Sequence, residues 1–280
     1  MSQDMSDPGA YGDAIADMYD ELCSKSDWLR PEDIVGFLAD LAAGGRALEL
    51  GIGTGRVAIP LQARGIDVAG IDASEHMIRQ LRQKPGADAI RVVVGDFSSL
   101  DVEGSFKLVY VVFNTLFHLT SQEQQIACFA NVARCLEPTG TFVVEAFVPS
   151  LPSTGKTGGQ MTVWNVTEDT VDIGVRWYDV TTQSYVEQHM YFDGAKVRLN
   201  RNRGREAWPS ELDLMARLAG LRLSERWGGW RRQPFNSECR SHVSVYQRSD
   251  SVDGASDREG RAMLPRPLND RADLVTRALG

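Results

Sequence analysis

The sequence predicts an α/β fold, a doubly wound and mostly parallel sheet that carries an antiparallel β extension. Between residues 47 and 148, short β-branched runs alternate with amphipathic segments, the order that a parallel sheet flanked by helices requires. The first run closes on Glu49-Leu50-Gly51-Ile52-Gly53-Thr54-Gly55 and the next on Asp72, a separation that suits one βαβ unit. Beyond Pro149 the alternation stops, and strand-like runs follow one another with only turn residues between them.

Each element has its own signal. Tyr11, Ile15, Met18, Tyr19 and Leu22 recur at helical spacing and predict one short amphipathic helix to about Cys23. Pro31 suits the first position of a second helix, which runs to about Ala42 and is ended by Gly44-Gly45. Strand Ala47–Leu50, helix Arg56–Arg64, strand Ile66–Asp72, helix Ser74–Lys84 and strand Ile90–Val94 follow. Lys107–Asn114 is apolar on both faces, as a central parallel strand must be. Ser121 with Gln124 spells a capping box for a helix to Leu136, closed by Pro138 and Gly140 before strand Thr141–Val148. Residues 150–160 read as a loop. Met161–Val166, Thr170–Val180, Ser184–Phe192 and Lys196–Asn200 read as hairpin strands. Pro209–Ala219 returns to helix, and Leu221–Arg226 and His242–Gln247 to strand. The predicted organisation is a helical lid over 1–45, a ligand-binding core over 46–149, the antiparallel extension over 150–208, the last helix and strands of the core over 209–248, and a mobile tail over 249–280.

Composition narrows the function classes. With 42% hydrophobic and 24% charged residues the chain is globular. A net charge of -8 and a pI near 5.1 leave no basic footprint for nucleic acid. Cys23, Cys128, Cys135 and Cys239 have neither metal-ligand spacing nor a disulfide pattern, so reduced thiols and no metal are expected. No signal-peptide pattern and no membrane-length apolar run are present, so the expectation is a cytoplasmic protein with no membrane partner. A homodimer is left open.

The glycine turn describes a ligand. Gly51, Gly53 and Gly55 let backbone pass close to a bound molecule, and Asp72 ends the neighbouring strand where ribose hydroxyls would find an acceptor. Arg56 stands where a dinucleotide cradle has its third glycine, and Glu49 would repel a pyrophosphate. Glu49 suits a ligand with a positive end, such as the ammonium and sulfonium of S-adenosylmethionine (SAM). Together these residues resemble the first two motifs of class I SAM-dependent methyltransferases, which implies a Rossmann-like core. Strand-end geometry adds Ala73, Asp96, Phe97, Phe113 to His118 and Glu145 as candidates.

Gly95-Asp96-Phe97 resembles the adenine-side motif of that family, with Asp96 accepting from the amino group and Phe97 and Met77 packing on the ring. From Tyr11 to about Arg248 the chain is similar to small-molecule methyltransferases of the amino-sugar N,N-dimethyltransferase and glycine-N-methyltransferase type. That resemblance implies a small-molecule acceptor in secondary metabolism. It also implies that Tyr19 closes over the methionine part of the cofactor and that His118 lies beside the acceptor. Trp28 stands where relatives often carry another tyrosine. His118 is the candidate base, with the rate expected to rise through the imidazole range, and Glu145 is the alternative.

The acceptor atom stays open between nitrogen of a small amine and carbon of an electron-rich ring such as indole. The aromatics of the extension and its neighbours, among them Trp164, Trp177, Tyr185, Tyr191, Trp227 and Trp230, allow a stacking wall or a cation–π surface. From other classes, a catalytically silent SAM-binding scaffold and an NAD-dependent oxidoreductase compete, the second against Glu49 and Arg56.

Overall fold

The computed structural model describes residues 7–24, 31–99, 102–150 and 157–249. Trp28 and the expected tail from residue 250 onward lie outside the described residues. The helices are α1 (Ala10–Ile15), α2 (Tyr19–Ser24), α3 (Pro31–Ala42), α4 (Ala58–Gln62), α5 (Glu75–Arg82), α6 (Gln122–Cys135) and α7 (Pro209–Leu218). The strands are β1 (Ala47–Leu50), β2 (Val68–Asp72), β3 (Arg91–Val94), β4 (Phe106–Val111), β5 (Leu136–Phe147), β6 (Gly158–Val166), β7 (Thr170–Asp179), β8 (Ser184–Asp193), β9 (Lys196–Arg205), β10 (Leu221–Trp227) and β11 (Ser241–Arg248).

Seven strands form one sheet in the order β10-β11-β5-β4-β1-β2-β3. β3, β2, β1, β4 and β5 run parallel, whereas β11 pairs antiparallel with both β5 and β10. The strand order reverses between β1 and β4, so their carboxyl ends diverge and open the crevice where ligands of such sheets bind. Alternation along the strands divides the core in two. Leu48, Leu50, Val109, Phe142 and Val144 pack under α6 and α7 through Phe129, Val132, Leu212 and Met215. Ala47, Val68, Leu108, Tyr110 and Val143 pack under α3, α4 and α5 through Phe37, Leu38, Leu61 and Leu81. β6 to β9 form a separate antiparallel sheet.

The amino-terminal helix is not continuous, because its two halves are tied to different parts of the core. Asp13 on α1 accepts from the Ser74 hydroxyl at 2.6 Å. Asp20 on α2 accepts from the Thr54 hydroxyl at 2.6 Å and pairs with Lys84 at 2.6 Å. Residues 16–18 form a turn between them. β4 stops at Val111, short of the expected Asn114, since Phe113 and Asn114 both take φ of 60°, a region costly for side-chain-bearing residues. Two hydrogen bonds hold that kink: the Phe113 N–H donates to Glu145 Oε2 at 2.8 Å, and Asn114 Oδ1 accepts from the Phe147 N–H at 2.5 Å. The capping box forms as read, Ser121 Oγ accepting from the Gln124 N–H and Gln124 Oε1 from the Ser121 N–H. β5 begins at Leu136, earlier than predicted, with an irregularity in its pairing opposite Phe106 and Leu108 that absorbs Pro138 and Gly140.

β9 extends past the expected Asn200 to Arg205 and fixes the second sheet to the first. Arg205 is 6% exposed; its guanidinium reaches Gln125 Oε1 at 2.7 Å, Gln183 Oε1 at 2.9 Å and Glu211 Oε1 at 2.6 Å. A buried guanidinium needs such a set of acceptors to offset its desolvation. β9 also packs against α1 and the short turn Thr115–His118 that follows β4, so the extension stands over the crevice mouth.

Candidate active site

The crevice is a half-open cleft enclosing about 100 Å³. The amino-terminal segment supplies Tyr11, Gly12 and Tyr19, the β1 turn Gly51 and Gly53, and the end of β2 Asp72, Ala73 and Met77. Asp96 and Phe97 after β3, and Thr115 and His118 after β4, complete the wall.

Of the glycines, Gly53 is the one that opens to the cleft. Its φ is +54° and a Cβ built on it would meet nothing within 4 Å. At Gly51, φ +71°, a Cβ would collide with Thr115 Cγ2, which ties the β1 turn to the β4 turn. Asp72 holds this loop in place: Oδ2 accepts from the Gly53 N–H at 2.7 Å and Oδ1 from the Ser74 N–H at 2.8 Å. Burial raises the Asp72 pKa against the pull of those two amides. Each oxygen keeps a second acceptor position, which a pair of ribose hydroxyls would fill. Asp96 is similarly half engaged, Oδ1 accepting from the Ser98 N–H at 2.7 Å. Met77 and Phe97 are buried beside it.

Glu49 and Glu145 do not line the cleft. They lie on the sheet face covered by α3 and α4, and both are buried. Tyr110, opposite Glu49 across the β1–β4 pairing, donates to Glu49 Oε2 at 3.1 Å. Burial pushes the Glu49 carboxyl up to about 8, with the Tyr110 hydrogen bond and Arg56 opposing. Glu145 is likewise raised by burial, and is spent on the Phe113 amide, with Trp230 and Arg56 nearby. Gly55 and Phe113 also stand behind the lining. At Gly55, φ +75°, a Cβ would press on Leu81 and Ile59, and Phe113 lies under the Arg56 guanidinium at 5.5 Å.

His118 faces the cleft, its ring centroid 4.7 Å from that of Tyr11. Burial lowers its pKa to about 4, so the imidazole is neutral through the physiological range and the expected titration near pH 6.5 is displaced into acid. Tyr19 lines the cleft close to Arg56 and Cys23, and burial raises its pKa. Sequence reasoning missed Tyr11, Gly12 and Arg56, while Thr115 falls within the strand-end candidates. Arg56 Nη1 is buried without a hydrogen-bond partner among the described residues, and the guanidinium lies near Tyr19, Glu49 and Glu145 behind the lining. Among the described residues no cluster of side chains could hold a metal ion, and no helix is long and apolar enough to cross a membrane.

The family described as "Methyltransferase domain" matches residues 47–140. The CcbJ methyltransferase from Streptomyces caelestis superposes with a TM-score of 0.79 at 37% identity, covering 87% of this chain and 99% of that one. The chain is a class I SAM-dependent methyltransferase. The cypemycin N-terminal methyltransferase of a Streptomyces species is 26% identical over 249 residues, spanning 87% of this methyltransferase and all of the relative. CalS10, an amino pentose methyltransferase from Micromonospora echinaspora, shares the fold with a TM-score of 0.60 at 20% identity, covering 82% of this chain and 96% of that one. The cofactor of this methyltransferase is SAM. The scaffold and NAD readings fall together.

Proposed function

We propose that this methyltransferase transfers a methyl group to the nitrogen of a small-molecule amine in secondary metabolism. The observation that carries the reading is the uncharged, half-buried His118 beside Tyr11 in the cleft wall. A neutral imidazole accepts an amine N–H and keeps the nitrogen lone pair aimed, without placing a second positive charge next to the sulfonium. The relatives named for N-terminal and amino pentose methylation point the same way. Carbon methylation of an indole would want a continuous aromatic wall. Trp177 is instead 58% exposed and alternates to the sheet face opposite Tyr178 and Tyr185, while Trp230 packs edge-on against Phe37.

In this reading the cofactor supplies an electrophilic methyl on a sulfonium, and the protein holds, orients and keeps water out. Asp72 takes the ribose hydroxyls and Asp96, Phe97 and Met77 the adenine, while Glu49 and Arg56, set behind the lining, act on the charged ends of the methionine part through the field of their side chains. Ala73 and the glycine turn supply the backbone floor. Tyr19, carried by α2, closes over the methionine part, with Asp20, Thr54 and Lys84 as the clasp. His118 and Tyr11 present the acceptor. Incubation with SAM and a panel of small primary and secondary amines and indoles, read by mass, tests this. Methylated amines are the expected products; exclusive carbon methylation, or no product on any amine, would overturn it.

A further inference from the structure

The inner face of the second sheet holds buried polar groups that the transfer reaction does not use. His189 on β8 lies between two carboxylates, Nδ1 3.6 Å from Asp172 Oδ1 and Nε2 3.6 Å from Glu187 Oε2. Burial works against its positive charge, but the two carboxylates prevail and raise its pKa to about 9. Neither gap is closed by a direct hydrogen bond. Among the described residues, Asp172 Oδ1, His189 Nδ1 and both amide atoms of Asn200 are buried without hydrogen-bond partners. Asn200 is His189's cross-strand neighbour and only 4% exposed. The Asp172–His189 ion pair is left long, and the two Asn200 amide atoms beside it have no partner among the described residues, which is costly unless something completes them.

Two features give this nest an entrance and a direction. The Trp164 indole, on the edge strand β6, stacks on the His189 ring at 6.0 Å and is half exposed. It fits there because Gly174 lies beneath: a Cβ would come within 2.5 Å of the indole nitrogen. The His189 ring also stacks on Tyr191 at 5.8 Å, and Arg198, the cross-strand neighbour of Tyr191, reaches Met18 Sδ at 3.7 Å, next to Tyr19 of the cleft wall. A path of side chains thus leads from the cleft to the nest.

We propose that Asp172, His189 and Asn200 form a recognition site for vicinal hydroxyl groups on the non-reacting part of the acceptor, entered when Trp164 swings off the His189 ring. The proposal rests on the small-molecule acceptor reading above. An atom that joins His189 Nδ1–H to Asp172 Oδ1 must accept from one and donate to the other. A hydroxyl does both, whereas an ether or carbonyl oxygen only accepts and an ammonium only donates. Asn200 offers a donor and an acceptor side by side, which suits a second hydroxyl on the adjacent carbon. The Trp164 and Tyr191 rings supply flat apolar surface for the C–H faces of such a molecule.

The test uses the full chain saturated with S-adenosylhomocysteine and methyl α-D-glucopyranoside as the probe, followed by saturation-transfer NMR. Wild type is expected to bind the probe, and Asn200→Leu to bind it at least tenfold more weakly. Asn200→Leu should melt no lower than wild type, because it removes a buried amide without partners. A merely structural Asn200 would instead lower the melting point. Asp172→Asn, a smaller change, should also weaken the probe and leave S-adenosylhomocysteine affinity intact. A wild type that ignores the probe, or variants that bind it as wild type does because structural water fills the nest, would overturn the site. Probe binding without methylation of any amine would instead count against the proposed transfer to nitrogen and leave this site standing.

Discussion

His118→Ala should lower the turnover number by about 10²-fold while SAM affinity stays within a factor of two or so of wild type, the signature of a lost positioning contact. The magnitude follows from what His118 can and cannot do. Its half-buried imidazole titrates at about 4. An alkylammonium product titrates near 10, as a lysine side chain does, so handing that proton to His118 would run uphill. His118 is therefore better suited to accepting a hydrogen bond from the neutral amine than to carrying its proton away, which water can do after transfer. Between pH 6 and 8 any rise of rate should come from deprotonation of the acceptor, and it should persist in His118→Ala. Stopped-time assays across that range check this. A slope present in wild type and absent in the variant would restore His118 as the base.

Asp72→Ala is expected to weaken SAM by about 5–150-fold, from roughly 1–3 kcal/mol of lost and unpaired hydrogen bonding. Two losses combine. The ribose hydroxyls lose their acceptor, and the Gly53 N–H, fixed by Asp72 Oδ2 at 2.7 Å, is released, so the turn facing the cleft is no longer held. The Ser74 N–H loses Oδ1 as well, which loosens the start of α5, although the Ser74 hydroxyl still caps the Met77 N–H at 3.0 Å. Calorimetry with SAM and a melting curve on the free protein separate the two. Unchanged affinity with a lowered melting point would reduce Asp72 to a loop brace.

Local signals were legible in the sequence and tertiary ones were not. The glycine turn and the Ser121–Gln124 capping box depend on residues within a few positions of each other, and Asp72 follows the turn by the length of one βαβ unit, so their spacing carries the geometry. The docking of α1 depends on Asp13 meeting Ser74, 61 positions away, and so Tyr11 looked like an ordinary member of an amphipathic stripe. That stripe runs unbroken through residues 16–18, where the chain turns, because periodicity is blind to clasps on either side. Arg56 was read as a missing glycine, when its buried, unpartnered nitrogen is itself a candidate contact. The second half of β9 hid behind Arg201, Arg203 and Arg205, charged residues that suggest a solvent loop until Gln125, Gln183 and Glu211 are seen to surround Arg205.

If the cationic end of the cofactor comes to rest over the buried Glu49 carboxyl, its capture is an acid–base event. With a pKa near 8, most of the carboxyl is protonated in the free protein at pH 7. A cation brought beside it favours the charged form, so binding expels a proton to the buffer. The heat of binding should then change with the ionisation enthalpy of the buffer, and affinity should climb with pH until about 8 and level off. SAM and S-adenosylhomocysteine share the ammonium, and only SAM has the sulfonium. Proton release with both ligands would assign the ammonium to Glu49, release with SAM alone the sulfonium, and a buffer-independent heat for both would remove Glu49 from the cationic end altogether.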